Sequence, residues 1–574
     1  MHNLIAIDVG SDTANDVYKR MSSEQDYHSF EHHSRLSIAT NARVLTADTR
    51  VLLTLGTPLP YPEKIPESWQ DAMTALCTHD GAFAFVFCDT DANKMVLVTD
   101  FLGYMPLYYQ VKDNGVVISS MAKAFHGSCD PAGWGALISL GYTIGDSTLT
   151  DGVRRLPSGS TIAIDLMTGE MTSTKYRNLG DVAYSGGTLE RVKTTLDESV
   201  DKTLGAALFR EQAVMMSGGF DSRLIAFMLA DRQVDFRPVV VSHRDEQLDA
   251  DGTFAQAIIK KLGVECAFNV PDQDFFSSQA FLDYLFASEG EVASLYLFIA
   301  QVFQFIPARA TTWEGVIPGY TLVDFSAGKD GRTSGFSRLL AEKANAYDGK
   351  LWTAAREVFT AEVAESFQDA FDDAWKKETD RYPDNGDGVN RYLLEHKSRN
   401  RTGINPFKVF QTRTQTVSPG MTWDYISASM SIPASQKVNH ALYYRLLRRH
   451  YPKALDIPFI SGNVIKPAES LNVNMKIFEL RNSIENFLNL RPRLRRIFQS
   501  PKRNVDFLPS SFLQSSQLSV ENDEALSPAF LARVRRGQVG SPEAMKLLFH
   551  WRVWRWIHNG ELYSRLGETG NNSQ

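Results

Sequence analysis

At 574 residues, with a net charge of −7 and 43% hydrophobic residues, the chain has the composition of a folded globular protein too long for one core, so two or three domains are expected. The acidic balance argues against general attraction to nucleic acid or to an anionic membrane, and no apolar run approaches the roughly 20 residues that span a bilayer. Four scattered cysteines, Cys77, Cys88, Cys129 and Cys266, show neither metal-ligand spacing nor a disulfide framework. The opening Met1-His2-Asn3-Leu4-Ile5 lacks the pattern of a signal peptide, and a soluble cytoplasmic protein is expected.

Residues 1 to about 185 read as strand-rich. Val51 to Leu55 is a β-prone run that Gly56 and Pro58 are expected to end. Ala82-Phe83-Ala84-Phe85-Val86-Phe87 and Lys94-Met95-Val96-Leu97-Val98-Thr99 flank the turn Asp89-Thr90-Asp91-Ala92-Asn93 as a hairpin should. Leu107 to Val111 and Gly115 to Ser119 form a second pair around Lys112-Asp113-Asn114. Thr161 to Asp165 is a further strand. The link Tyr184-Ser185-Gly186-Gly187 leads into a helix from Leu189 to about Leu208, which places two domains at 1–185 and 190–574.

Beyond the link the rhythm changes. Ala213 to Met216 reads as a strand, Arg223 to Ala230 as a helix and Arg237 to Ser242 as a buried strand. A helix around Phe254 to Leu262 and a strand from Val264 to Val270 follow. This alternation predicts a parallel sheet covered on both faces, with ligands at the carboxyl ends of its strands. From about Phe276 the chain reads as mostly helical, with a late amphipathic helix from Pro542 to Leu562.

The most informative stretch is Val214-Met215-Met216-Ser217-Gly218-Gly219-Phe220-Asp221-Ser222-Arg223, an apolar strand that passes through Ser-Gly-Gly into a helix. Glycines admit close approach of the backbone to an anion, and a helix N-terminus aims N–H groups and a positive partial charge at it. Ser217 and Ser222 add hydroxyl donors. Phosphate repels Asp221, whose expected role is to hold a Mg²⁺ that bridges phosphates. No Gly-x-x-x-x-Gly-Lys-Ser/Thr loop is present, so this is not a Walker site. Ser-Gly-Gly-x-Asp-Ser instead resembles the pyrophosphate loop of enzymes that split ATP into AMP and pyrophosphate.

Other pieces stand around the loop in order: Gly81 to Phe85, Thr99-Asp100-Phe101-Leu102-Gly103-Tyr104-Met105-Pro106-Leu107-Tyr108-Tyr109, Val116 to Ser120, and Gly152 to Gly159. With Ser217 to Ser222, this order resembles the asparagine synthetase family across roughly the first 270 residues. Ile432-Pro433 and Leu442-Tyr443-Tyr444-Arg445-Leu446-Leu447-Arg448 extend the resemblance more loosely. It implies an α+β N-terminal αββα (Ntn-hydrolase-like) sandwich. An α/β parallel-sheet pyrophosphate-loop ATPase domain with a helical C-terminal part would follow. It also implies ATP and Mg²⁺ as cofactors, and attack of a carboxylate on the α-phosphate before an amine displaces AMP. A carboxylate is a poor acylating agent, whereas AMP is a good leaving group once Mg²⁺ and the loop neutralise its charge. On this reading Ser217, Gly218, Gly219, Asp221 and Ser222 hold pyrophosphate and metal. Ser242 and His243, at the end of the next strand, lie beside the nucleoside.

The departures from the family define the kind of member expected. Glutaminase members need a cysteine as the mature N-terminal residue, whereas here Met1 precedes His2 and the nearest cysteine is Cys77. Leu53-Thr54-Leu55-Gly56-Thr57-Pro58 stands where the family has its Asn-Gly-Glu glutamine pocket. Glutamine hydrolysis is therefore not expected. The branch implied resembles β-lactam synthetases and lasso-peptide cyclases, which lack the cysteine and use an amine on the substrate.

For the family's Ser-Gly-x-Gly-Ser/Gly-Asp segment, the match is Gly315 to Phe325, with Gly319 in place and Asp324, a second metal candidate, one residue late. Tyr320 takes the position of the tyrosine that helps deprotonate the amine in β-lactam synthetases. With an ordinary pKa of about 10, such a base needs an acidic partner, and Thr414 to Pro419 supplies none. Lys466 is the candidate for the family lysine that faces the adenylate.

Other features have plain readings. Asp249 and Asp251 read as helix-start acids, Arg491 to Arg496 with Lys502 and Arg503 as a solvated basic face, and His32-His33 as a surface pair. Phe549, Trp551, Trp554 and Trp556 read as helix packing. The leading expectation is an ATP-dependent amide ligase acting on a peptide or small specialised metabolite with carboxylate and amine, with a companion biosynthetic protein as a candidate partner. The alternatives are a catalytically degenerate ATP-binding scaffold and a tRNA-modifying enzyme, the latter opposed by the net acidity.

Overall fold

The computed structural model describes residues 5–9, 14, 28–32, 36–112, 115–184, 186–241, 250–266, 268–270, 275, 278–291, 297–327, 334–343, 349–461, 464–466, 523–536 and 541–558. Strands β1 (Ile5–Val9), β2 (His28–His32), β3 (Leu36–Thr40), β4 (Arg43–Ala47), β5 (Arg50–Leu59), β6 (Asp80–Asp89), β7 (Lys94–Thr99), β8 (Tyr108–Lys112), β9 (Gly115–Ser119), β10 (Val153–Arg155), β11 (Ser160–Asp165) and β12 (Met171–Lys175) build two sheets. Their orders are β10-β8-β9-β1-β3-β2 and β12-β11-β7-β6-β5-β4, with antiparallel neighbours throughout.

Strand periodicity makes this a sandwich. Ile5, Ile7, Val9 and Ile118 of one sheet meet Leu53, Leu55, Val86 and Leu97 of the other in a shared core. The opposite face of the second sheet, with Phe83, Phe85 and Phe87, packs against helix α1 (Trp69–Ala75) through Ala72 and Trp69. Both predicted hairpins form, β6 with β7 and β8 with β9. Strand β5, however, does not stop at Gly56 but runs through Pro58 to Leu59. Gly56 has φ 77°, and a Cβ there would fall 2.3 Å from the Ala82 carbonyl oxygen, so glycine bends the strand without breaking the ladder.

Helix α2 (Pro131–Leu140) lies between β9 and β10 in the chain, and α3 (Leu189–Gly205) begins at a Thr188 cap. Next come β13 (Gln212–Met216), α4 (Phe220–Asp231), β14 (Arg237–Val241), α5 (Ala250–Lys261) and β15 (Phe268–Asn269). Only these last two residues of the expected Val264–Val270 strand are in the sheet. Strands β16 (Thr311–Trp313) and β17 (Gln415–Val417) complete a parallel sheet in the order β15-β14-β13-β16-β17. Both come from a region that reads as helical, and three residues are too few to show a period of two. The architecture is thus mixed α/β: two antiparallel sheets followed by a parallel one.

Further helices pack around these sheets: α6 (Val316–Leu322), α7 (Ala361–Thr379), α8 (Gly386–Tyr392), α9 (Ala441–His450) and α10 (Pro542–His558). The backbones of α2 and α7 approach closely, since a Cβ on Gly135 would fall 2.1 Å from the Phe367 carbonyl oxygen. The aromatic stripe of α10 is core, as its apolar neighbours suggest. Trp551 and Trp554 pack on Trp134 at 4.9 and 5.7 Å between centroids, and their indole N–H groups donate to Asp523 and Thr150. No helix among the described residues is long and apolar enough to cross a membrane. The basic run from Arg491, together with His33 and Asp249, lies outside the described residues.

A π-helical run, Leu393–Thr402, joins the strand-rich part to the rest. His396, Ser398, Arg399, Asn400 and Arg401 on it are buried, an arrangement that requires partners. The N-terminal loops supply them. Arg399 donates to the Leu156 carbonyl at 2.6 Å and to Asp146 at 2.7 Å, while Asn400 donates to the Thr143 carbonyl at 2.9 Å. In return Arg155, itself buried, donates to Asn400 Oδ1 at 2.9 Å and to the Gly103 carbonyl at 2.7 Å.

Two stability predictions follow from this burial. Replacing Arg155 by Met strands Asn400 and the Gly103 carbonyl, and equilibrium denaturation is expected to show a loss of about 2–4 kcal/mol. Burial also pushes His550 down to about 4 from 6.5, so it folds neutral. A depressed folded pKa gives stability that is present above 6.5 and lost as pH falls. Denaturation is expected to show about 2 kcal/mol lost on going to about pH 5, with the slope flattened in His550→Gln.

Candidate functional site

The carboxyl end of β13 leads into Ser217-Gly218-Gly219, and Gly219 caps α4 with no side-chain hydrogen bond to the first turn. The first-turn amides of α4 therefore receive no acceptor from the side chain of the cap residue, which leaves them to an anion as such a site requires. Ser217 and Ser222 close the loop on itself. Their hydroxyls lie 3.1 Å apart, Ser222 Oγ accepts from the Ser217 amide at 3.0 Å, and the Gly219 amide donates to Ser217 Oγ at 3.3 Å.

Asp221 stands on the first turn of α4. Tyr443, on α9, donates to its Oδ1 at 2.6 Å. Its other oxygen faces α6. A Cβ on Gly319 would lie 2.7 Å from Asp221 Oδ2, and one on Gly315 2.5 Å from Asp221 Cβ. These two glycines, four residues apart on one face, are what allow α6 to lie against the carboxylate. Burial raises the Asp221 carboxyl to about 6, and the Tyr443 hydrogen bond opposes the rise.

Glu314 follows β16 immediately, beside Gly315 at the same edge of the sheet. Burial pushes its carboxyl up to about 8, and its side chain makes no hydrogen bond or ion pair among the described residues. Sequence reading missed it. The available signal was an acid directly after the β-prone Thr311-Thr312-Trp313, followed by glycine.

The remaining candidates are placed as follows. Tyr320 is buried on α6, exchanges a hydrogen bond with Thr402 at 2.8 Å, and has Lys397 Nζ 5.8 Å from its ring centre. Asp324 lies beyond the last turn of α6, on the order of 10 Å along the helix from Gly315. Its Oδ1 accepts from the Ser326 amide, the Ser326 hydroxyl and Asn390, at 2.8, 2.7 and 2.7 Å. The structure thus joins Ser217, Gly218, Gly219, Asp221, Ser222 and Gly319, while Asp324 is held by Ser326 and Asn390. Lys466 ends the strand Val464–Lys466, but its side chain is outside the described residues, as are Ser242 and His243.

In the N-terminal part, Asp100 is a turn-former. Its two oxygens accept backbone N–H groups from Phe83, Leu102, Tyr104 and Met105, and burial holds it at about 6. Cys77 donates its thiol to the Met73 carbonyl, and burial raises it to about 11, so little reactive thiolate forms at neutral pH.

Residues 64–177 match the glutamine amidotransferase domain family. The chain is related to that family. Asparagine synthetase [glutamine-hydrolyzing] 2 of Bacillus subtilis (strain 168) is 24% identical over 202 residues, which span 32% of this chain and 27% of that protein. Among solved structures, the allosteric regulatory enzyme of purine biosynthesis aligns over 47% of this chain and 74% of its own, with 11% identity and a TM-score of 0.20. Glutamine phosphoribosylpyrophosphate amidotransferase from B. subtilis, complexed with ADP and GMP, aligns over 60% and 73%, with 10% identity and a TM-score of 0.19.

Among the described residues, no three His, Cys, Asp or Glu side chains form a metal cage. Mg²⁺ needs none, since one or two carboxylates suffice when phosphates complete its shell. Asp221 beside an uncapped helix end fits that arrangement. A carboxyl raised to about 6 loses its charge below that pH, so cation binding there is expected to weaken about tenfold per pH unit below it. Tyr443→Phe removes the opposing hydrogen bond and is expected to move the midpoint of a Mg²⁺-ATP titration to higher pH.

Proposed function

We propose that the chain is an ATP-dependent carbon–nitrogen ligase that forms an amide through an acyl-adenylate and releases AMP and pyrophosphate, without glutaminase activity. One observation carries this reading: the glycine loop at the end of β13 opens the uncapped helix α4 beside Asp221, which lies between two obligatory glycines and Tyr443. The relationship to an asparagine synthetase supports the amide-forming class. Cys77, with its thiol bonded to the Met73 carbonyl and its pKa raised, supports the absence of a glutaminase nucleophile. The substrate is a peptide or specialised metabolite that carries both carboxylate and amine. A lasso-cyclase-like or β-lactam-synthetase-like closure would join the two.

In this reading the amides of Gly219 and the first turn of α4 hold the leaving pyrophosphate, with Ser217 and Ser222 donating hydroxyls. Mg²⁺, when bound, supplies charge neutralisation of the phosphates. Asp221 is the residue that would hold it, with Asp324 a second, more distant acid. The substrate carboxylate attacks the α-phosphorus, and the P–O bond to pyrophosphate breaks. The amine then attacks the acyl carbon, AMP leaves, and the amine's proton must be removed. Tyr320, bonded to Thr402, is the proposed acceptor of that proton, directly or through solvent. Lys466, Ser242 and His243 are assigned to the adenylate and nucleoside.

The deciding assay is pyrophosphate release from Mg²⁺-ATP by purified protein, against a panel of acids and small peptides. Release by the wild type is expected, reduced at least 100-fold in Asp221→Ala, and the responsive acid identifies the substrate class. ATP binding without release for any acid would favour a degenerate scaffold.

A further inference from the structure

Arg223 enters the core directly after the loop serine, and its residue is fully buried. No carboxylate pairs with its guanidinium among the described residues; instead it binds backbone carbonyls. Its Nη1 donates to Ala454 and Ile457, each at 2.7 Å, and its Nη2 donates to Pro458 at 2.7 Å and to Gly218 at 3.0 Å. Burial without a counter-charge pulls the group down to about 9.

The Gly218 contact has a geometric consequence. Within one planar trans peptide the carbonyl and the following N–H point in opposite directions. A Gly218 carbonyl held inward on Arg223 therefore turns the Gly219 N–H outward. There it meets Ser217 Oγ, on the hydroxyl side of the loop. The other three carbonyls belong to the segment that immediately precedes the hairpin of β18 (Phe459–Ser461) and β19 (Val464–Lys466). Phe220, next to Gly219, stacks on Phe459 of that hairpin at 3.8 Å between ring centres. One guanidinium thus ties the loop and the hairpin to a common point.

We propose that Arg223 is a positioning residue that fixes the Gly218–Gly219 peptide, and with it the Ser217 hydroxyl that the Gly219 amide meets, as one wall of the anion loop, and that seats β18 against that loop. The proposal rests on the reading of the loop as a pyrophosphate site, and it assigns to Arg223 no contact with the substrate.

Calorimetry with Mg²⁺-pyrophosphate and with AMP, titrated separately into the full-length chain, tests it. In Arg223→Gln, which keeps donors but loses the charge and the fork, pyrophosphate affinity is expected to fall at least tenfold while AMP affinity changes less than threefold. Arg223→Lys, which keeps the charge but loses the fork, is expected to show an intermediate loss and guards against a Gln variant that fails to fold. Unchanged pyrophosphate binding in a folded variant overturns the proposal. So does an equal loss of pyrophosphate and AMP with a lowered melting temperature, the mark of a merely structural arginine. Absence of pyrophosphate binding by the wild type defeats the loop reading itself and the proposal with it. Binding by the wild type without turnover defeats only the ligase reading.

Discussion

Buried arginines bound to backbone carbonyls hold this molecule together. A guanidinium offers five donors in a fixed plane and keeps its charge, so once enclosed it needs several acceptors at set directions. Arg155 finds Gly103 and Asn400, Arg399 finds Leu156 and Asp146, and Arg223 finds four carbonyls from two distant segments. A carbonyl acceptor belongs to the main chain and cannot swing away like a carboxylate. Each of these arginines therefore fixes backbone, and with it the loops that flank the candidate site.

The same bonds explain the residues through which the N-terminal part resembles asparagine synthetases. Asp100 gathers four amides into a tight turn, Gly103 lends its carbonyl to Arg155, and the Leu156 carbonyl receives Arg399. None of these roles involves glutamine. The motif is that of a docking face, and such a face keeps its physical purpose whether or not the sandwich behind it catalyses anything.

Some of this was legible in the sequence and some was not, for definite reasons. The glycine loop could be read because its chemistry is local: strand, Ser-Gly-Gly and helix start are contiguous. The hairpins were equally plain, since alternation and turn residues sit side by side. Glu314 was hidden because a three-residue strand gives no period. Asp324 was singled out through the resemblance of Gly315 to Phe325 to a family segment, and its partner Asn390, 66 positions along the chain, lay beyond any local pattern. Three of the four partners of Arg223 lie 231, 234 and 235 positions along the chain, beyond any local pattern. The run Leu393–Thr402 showed no local sign of burial, because the acceptors of Arg399 and the carbonyl partners of Asn400 lie about 250 positions away on the N-terminal loops.

The width of that helix matters for how this sequence can change over time. In a π-helix each turn holds more residues than in an α-helix, and such turns seldom persist over so long a stretch. Removing a single residue from the run would break the π register and turn the side chains beyond the deletion away from their present directions. Arg399 and Asn400 would then point away from their acceptors, while every individual side chain remained intact. The seam between the two parts of the molecule should therefore tolerate many substitutions more readily than one change of length.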